Sequence, residues 1–241
     1  MDKAKILVIV EGERTDVRLM EHLLSVYGIN DNHEIVSYKT NIYTLYKQII
    51  DYDDPESVDL LQLLKERERD EGNKKIFDLR YSDILLIFDL DPQDEQYSPD
   101  KVEYLTKYFT ESTEKGKLYW NYPMVEAFYH MKDIPDEDYC SYRAYLDELE
   151  QGKYKSRVNV ENRNHDYTKF AVNRDECSIV IRQNIKKAYL IIDETCTYDM
   201  MPDDLKILAE QVKTLQTEQY VYVLCTCVFY IADYNPKLLV S

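Results

Sequence analysis

Two continuous apolar runs that end in carboxylates constrain the fold of this chain most strongly. The first covers residues 6–10 and is followed by Glu11, and the second covers residues 84–88 and is followed by Asp89 and Asp91. Such runs are typical of parallel strands that are buried on both faces of a sheet. Functional crevices of open α/β sheets lie at the carboxyl ends of the strands. We therefore expect Glu11, Asp89 and Asp91 to converge at one edge of a sheet.

The segments that follow the first run alternate between helical and extended patterns. Apolar residues at helical spacing predict a helix that begins near Thr15, where Thr15 and Asp16 offer a capping oxygen, and that stops at Gly28. A strand is predicted over residues 34–38 and a helix over residues 42–50. This βαβα order predicts an α/β fold with a Rossmann-like, mainly parallel sheet flanked by helices.

A highly charged stretch, about residues 51–82, separates this opening from the second apolar run. Leucines at its centre are followed by a mixed run of charged residues, which is typical of a solvated helix face. We interpret the stretch as a charged helical insertion that acts as a spacer between sheet elements, in preference to a binding role.

The remainder predicts one more unit of the sheet and then a helical region. Ser98 and Pro99 begin a helix as N-cap and first-turn proline, and residues 117–121 form a further strand. Past Pro135 we predict helices over residues 139–149, 178–189, 202–215 and 218–234, the last because of the length of its apolar run. Residues 1–135 are thus predicted to form the α/β domain, and residues 136–241 a mostly helical C-terminal extension packed on it.

Composition limits the function classes. The chain has 46 acidic and 30 basic residues and a formal net charge of −16, which excludes a protein that holds nucleic acid by its overall field. A nuclease is not excluded, because divalent ions can bridge phosphate to carboxylate. The five cysteines lack metal-ligand spacing, and no signal segment or membrane-length apolar run is present. We therefore predict a soluble cytoplasmic protein with reduced thiols and no membrane partner.

A divalent cation is the simplest reason for three carboxylates to lie together. Such groups repel one another unless protons or cations intervene, and hard cations prefer oxygen ligands. Asp89 and Asp91 stand two apart, and residues i and i+2 of a strand point to the same face. The sequence therefore predicts a Mg²⁺ or Mn²⁺ site with Glu11, Asp89 and Asp91 as its ligands.

Four further residues are candidates for the same site, and three of them have an ordinary structural role as the alternative. Gly12 would let a phosphate approach the backbone closely. Asp94 is a candidate ligand or a turn former, and Glu126 is a candidate ligand or an acid that a helix dipole favours. Lys117 is a candidate phosphate contact, although a lysine at the start of a strand is usually just exposed.

The two acidic motifs, in this order and with helices between them, resemble the TOPRIM domain. The matching strings are Glu11-Gly12 and Asp89-Leu90-Asp91, and the resemblance covers about residues 3–130. Residues 88–94 and 116–126 look more specifically like small stand-alone TOPRIM nucleases of bacterial phage-defence and abortive-infection systems, which are related to OLD-family nucleases.

This resemblance implies a function. In that family the glutamate that matches Glu11 acts as general base, general acid or metal ligand, and the pair that matches Asp89 and Asp91 holds Mg²⁺. The implied activity is metal-dependent hydrolysis of DNA or RNA, with Glu11, Asp89 and Asp91 catalytic. The implied partners are the nucleic acid and an ATPase of the same operon, and a homo-oligomer is compatible with this reading.

Other functions match the residues less well. A haloacid-dehalogenase-like phosphatase also uses an Asp-x-Asp strand end, but that pattern normally continues with Thr or Val, whereas Pro92 and Gln93 follow here. The chain is too short for the nucleophilic domain of a topoisomerase and lacks the accessory parts of a full primase. The main alternative is a non-catalytic TOPRIM interaction subunit that regulates a partner ATPase.

Overall fold

The computed structural model describes residues 5–113, 115–196 and 200–239. Its strands in these ranges are β1 (Lys5–Val10), β2 (His33–Ser37), β3 (Tyr81–Asp89), β4 (Thr110–Glu111), β5 (Gly116–Tyr122), β6 (Arg143–Tyr145), β7 (Tyr220–Tyr222) and β8 (Leu224–Cys225). Six of them form a central sheet in the order β2-β1-β3-β5-β4, with β8 also paired to β5. Strands β2, β1, β3 and β5 are parallel, while β4 and β8 run antiparallel to β5. Strands β6 and β7 form a separate antiparallel pair.

The helices flank this mostly parallel sheet, which confirms the predicted α/β class. Their bounds are α1 (Thr15–Val26), α2 (Ile42–Ile50), α3 (Leu60–Arg67), α4 (Glu71–Lys74), α5 (Pro99–Tyr108), α6 (Leu146–Glu150), α7 (Tyr154–Glu161), α8 (Arg174–Ile191), α9 (Asp204–Glu218) and α10 (Phe229–Tyr234). Ser98 caps α5 as predicted, since its Oγ accepts a hydrogen bond from Lys101 N. Within the described ranges, no helix is both long enough and apolar enough to cross a membrane.

The apolar runs predicted to be buried strands lie at the centre of the core. Residues 7–10 of β1 and residues 85–88 of β3 are each at most 1 % exposed. Full burial of such side chains stabilises a fold by roughly 1.5–3 kcal/mol each, so these strands fix the sheet. Their register pairs Val10 with Ile87, and Asp89 with Asn121 on β5, which brings the strand ends to one edge.

The helix predicted over residues 218–234 is wrong. Helix α9 ends at Glu218 and Gln219 takes a left-handed conformation with φ of 59°. The chain then forms β7 and β8, and only its last part is the helix α10. A fully buried apolar run carries no periodicity that separates strand from helix, so its pairing with β6 and β5 decides the structure.

The helix predicted over residues 139–149 is also largely wrong. A short 3₁₀ turn, Tyr139–Ser141, leads into β6, and only Leu146–Glu150 is α-helical. Lys187 of α8 holds this turn, because its buried Nζ donates to the carbonyl oxygens of Tyr139 at 2.7 Å and Tyr142 at 3.0 Å. Tertiary contacts therefore override the local helical pattern here.

Replacing Lys187 by Met should lower the free energy of unfolding by roughly 1–3 kcal/mol, because two buried hydrogen bonds are lost. Lys186→Met on the same helix is the matched control, since Lys186 is exposed. Urea unfolding of both variants measures the difference. Equal stability of the two variants would contradict a structural role for the buried amino group of Lys187.

Candidate metal centre

The structure brings Glu11, Asp89 and Asp91 together at the carboxyl edge of the sheet. Each offers a carboxylate oxygen, and these oxygens all lie within 4.8 Å of one another. Glu11 follows β1 directly, and its backbone N–H donates to Ile87 O on β3 at 3.1 Å. The neighbouring strand ends thus place the three acids in one cluster, which we call the carboxylate triad.

Asp91 reaches the triad through a turn. Strand β3 ends at Asp89, and Asp91 lies beyond it with φ of 41°. Its backbone N–H donates to Pro123 O at 3.1 Å, and its carboxylate accepts from Gln93 Nε2 at 2.9 Å. A left-handed conformation is costly for a residue other than glycine and clusters at functional sites. The two side chains therefore meet because the strand opens into a turn at Asp91.

The side chains of the triad are held by neighbours that orient them. Glu11 Oε2 accepts from the backbone N–H of Asp89 at 3.1 Å. Asp89 Oδ1 accepts from Nδ2 of the fully buried Asn121 at 3.1 Å, and Asn121 Oδ1 accepts from Cys225 Sγ at 3.3 Å. Cys225 lies on β8, so the C-terminal half of the chain contributes a contact that orients Asn121 and, through it, Asp89.

Burial and mutual repulsion make the triad costly to ionise. Burial and then the charge of Asp91 raise the pKa of Glu11 from 4.5 to about 8, against the opposing hydrogen bond from Asp89 N–H. Burial and the charge of Glu11 raise the pKa of Asp89 well above its ordinary value. Burial also raises the pKa of Asp91, although the hydrogen bond from Gln93 opposes this. A cation between these groups would relieve the cost.

Two more buried acids border the triad. Glu126 is 3 % exposed and Asp16 is 6 % exposed. Their Oε2 and Oδ1 atoms, respectively, are shielded from solvent and have no hydrogen-bond partner among the described residues. Unpartnered buried carboxylate oxygens are uncommon and indicate a missing proton or cation. Glu126 lies near the triad, since its charge helps to raise the pKa values of Asp89 and Asp91, although neither Glu126 nor Asp94 belongs to the group of oxygens within 4.8 Å.

The sequence predicts Asp16 as a helix cap, but in the structure its side chain does not cap helix α1. Helix α1 begins after Arg14, which makes no side-chain capping bond. The Asp16 carboxylate packs against Gly12, where an added Cβ would lie 2.5 Å from Asp16 Oδ2. Gly12 is thus needed for the close approach of this carboxylate, a role other than the phosphate contact that the sequence predicts.

Lys155 brings a positive charge to the acids, and sequence reasoning missed it. It lies on α7, 61 % of its side chain is exposed, and its Nζ is 3.3 Å from Glu126 Oε1. Burial works to lower the pKa of Lys155, but the charges of Glu126, Asp89 and Asp91 outweigh it and raise that pKa. Helix α7 is more than sixty positions from Asp89 along the chain, so no local sequence motif indicates that Lys155 lies near the acids.

The other two sequence candidates lie elsewhere. Asp94 is engaged in its loop, where it accepts from Asn41 Nδ2 and from Gln96 N at 2.7 Å each. Lys117 lies near the amino end of β5, opposite Leu85, and its Nζ donates to Asp233 Oδ2 at 2.6 Å. Because the triad lies at the other end of the strands, Lys117 is not placed to contact a phosphate there.

Two openings give access to the cluster. A wide depression of about 500 Å³ beside Glu11 is lined by the cations Arg14, Lys39 and Lys155. A smaller cavity of about 220 Å³ beside Asp91 is also lined by Lys155. We call Arg14, Lys39 and Lys155 the basic rim of this buried acidic centre. The wide depression is also lined by the exposed Glu13, which pairs with Lys39.

The residues of the triad fit a hard divalent cation. They offer carboxylate oxygens alone, and these are the ligands that Mg²⁺ and Mn²⁺ prefer. Orphaned oxygens of Asp16 and Glu126 surround them, and a single lysine of the described chain faces the five acids. Comparison of the chain with protein-family models, with curated proteins and with solved structures gave no match in any of the three.

Proposed function

We propose that the protein is a metal-dependent nuclease of TOPRIM type, which hydrolyses phosphodiester bonds of DNA or RNA. The observation that carries the proposal is the carboxylate triad, whose three oxygens lie within 4.8 Å of one another at the carboxyl edge of a parallel sheet. Mg²⁺ or Mn²⁺ held by Glu11, Asp89 and Asp91 would orient the attacking water and stabilise the leaving oxygen.

The protein's own groups supply the rest of the chemistry. Glu11 would act either as a metal ligand, which gives up its proton on binding, or as general acid or base beside the metal; its raised pKa of about 8 describes the metal-free protein. Its orientation is fixed by the Asp89 N–H bond to Oε2. Arg14 and Lys155 line the opening beside Glu11, where they would attract the phosphate backbone of the substrate.

The basic rim also gives this acidic protein a local surface that would attract a polyanion such as nucleic acid. The overall field repels nucleic acid, so binding depends on these few cations, on the metal and on any partner protein. The proposed setting is a phage-defence system, in which an ATPase encoded beside this chain would act as that partner.

The test is cleavage of plasmid, single-stranded DNA and transfer RNA by the purified protein. It is assayed alone and together with the product of the adjacent gene, with Mg²⁺, with Mn²⁺ and with a chelator. We expect cleavage that requires the metal and disappears with the chelator. Intact substrates under every metal condition would contradict the nuclease and favour the non-catalytic interaction subunit.

A further inference from the structure

A second cavity lies beside the triad, at the carboxyl end of β2. Its volume is about 330 Å³, and it is enclosed between that strand end and the charged insertion. Tyr38, Arg67, Arg69 and Phe77 are among its lining residues. Small-molecule sites measure roughly 300–1,000 Å³, so the cavity suits one small ligand. The insertion, which the sequence suggests is only a spacer, thus builds a wall of a cavity.

The lining of this cavity is positively charged. Lys39, Arg67 and Arg69 supply three cations, and Glu68 supplies one carboxylate. That carboxylate is turned onto its own backbone, where Glu68 Oε1 accepts from the N–H groups of Arg69 at 2.7 Å and Asp70 at 2.9 Å. In a chain of net charge −16, such a lining is unexpected for a surface without an anionic ligand.

Arg67 and Arg69 have no acidic partner among the residues that the structure describes. In the ranges that the structure covers, no carboxylate lies within ion-pair distance of Arg67 or Arg69, and Lys39 contacts only the exposed Glu13, at 3.4 Å. Guanidinium groups remain charged at all physiological pH values. An anion in the cavity would therefore find donors that no acid of the described chain occupies.

The cavity also has flat and apolar walls. The Cζ atom of Arg67 lies 3.8 Å from the ring centroid of Tyr38, so the guanidinium plane is held by the aromatic ring. Leu64 and Phe77 add buried apolar surface. Nucleic-acid bases stack on aromatic rings and on arginine planes, and sequence-tolerant sites combine such surfaces with cations.

We propose that this cavity binds a nucleoside phosphate. Its base would pack against Leu64, Phe77 and the Arg67 guanidinium, and its phosphate would lie at the rim with Lys39 and Arg69. The ligand is either a free nucleotide or one nucleotide unit of a nucleic acid. The cavity adjoins the triad, because Lys39 lines both openings and its backbone N–H donates to Glu11 O at 3.0 Å. The proposal concerns binding alone and does not depend on hydrolysis.

Direct titration without divalent metal tests this site. Adenosine and uridine monophosphates, inorganic phosphate and a short single-stranded DNA are titrated against the wild type, Arg67→Gln, Arg69→Gln and Arg80→Gln. Arg80 is the control, because it is an exposed arginine outside the cavity and its replacement removes the same charge. Arg69 is exposed, so its replacement leaves the packing of the fold intact even if Arg67→Gln disturbs it.

We expect each cavity substitution to weaken binding by about tenfold or more, because Arg67→Gln removes the guanidinium on which the base would stack and Arg69→Gln removes a charge-assisted hydrogen bond to the phosphate. Arg80→Gln should weaken binding by less than about twofold. Binding of both monophosphates would identify a free-nucleotide site, and binding of DNA alone would identify a subsite for nucleic acid. Absence of binding, equal losses in all three variants, or inorganic phosphate binding as tightly as the monophosphates would overturn the proposal. The titrations contain no divalent metal, so the measured affinities do not depend on whether the triad is catalytically active.

Discussion

Replacing Glu11 by Gln is expected to reduce metal-dependent cleavage by about 10³-fold or more, because loss of a general acid or base typically costs 10²–10⁴ and a metal ligand is lost with it. The amide retains an oxygen that can accept the Asp89 N–H bond now made to Oε2, so the change removes charge and proton transfer while the orientation is kept. Asp89→Asn should have an effect of similar size.

Matched controls separate this loss from a general effect of charge. Glu95→Gln and Asp100→Asn make the same chemical changes at exposed positions outside the triad. Both should cleave within about twofold of the wild type, as surface substitutions do. If Glu11→Gln and Glu95→Gln cleaved equally well, the triad would have no part in the chemistry.

Raising the pH is expected to destabilise the metal-free protein. The pKa of Glu11 rises from 4.5 in the unfolded chain to about 8 in the folded chain. Between these values the folded state holds a proton that the unfolded state has released, so the free energy of unfolding falls as pH rises. Asp89, Asp91 and Asp16 have pKa values shifted in the same direction.

The effect is best measured between pH 6.5 and 8, above the range in which His130, whose burial lowers its pKa from 6.5 to about 4, gives the opposite slope. One proton over this interval corresponds to about 2 kcal/mol, or roughly 4–8 °C in the thermal midpoint of a chain of this size. Saturating Mg²⁺ should remove most of the drop. Glu11→Gln should flatten the slope, whereas Glu95→Gln should keep it. Equal slopes in the wild type and in Glu11→Gln without metal would contradict a strained acidic centre, because the buried Lys187, whose pKa burial lowers, contributes the same opposite slope to both proteins.

The parts of the site that could be read from the sequence are those that follow directly from buried strands. Glu11 and Asp89 each end an apolar run, and parallel pairing brings such ends to one edge whatever the loops do. The convergence of the triad could therefore be predicted from local strand-end motifs together with one general rule of sheet topology.

Other features depend on contacts that no local pattern carries. Lys155 reaches Glu126 from α7, and Asn121 orients Asp89 only because the register pairs the two residues. Lys117 illustrates the converse error, since it is the second residue of β5 and lies at the end of the strand opposite to the triad. The strands β6, β7 and β8 also form by long-range pairing, which overrides their local pattern.

The charged insertion shows the same limit. Its composition is that of a solvated spacer, and residues 69–72, which follow α3, are indeed exposed. The fold nevertheless lays Arg67 on Tyr38, a residue at the end of β2, and this contact forms the wall of a basic cavity. Charge runs in a sequence thus identify solvated segments without showing which of their residues meet the sheet.

Whether the triad is a metal site is tested most directly by calorimetric titration of Mn²⁺ into the metal-free protein. The titration is run in two buffers of different ionisation enthalpy. At pH values below about 8, Glu11 is protonated in the metal-free protein, so binding should release protons. We expect saturable binding with proton release, weakened by about 100-fold or more in Asp89→Asn and unchanged in Asp100→Asn. Absence of saturable binding, or equal affinity of these two variants, would contradict a metal site at the triad.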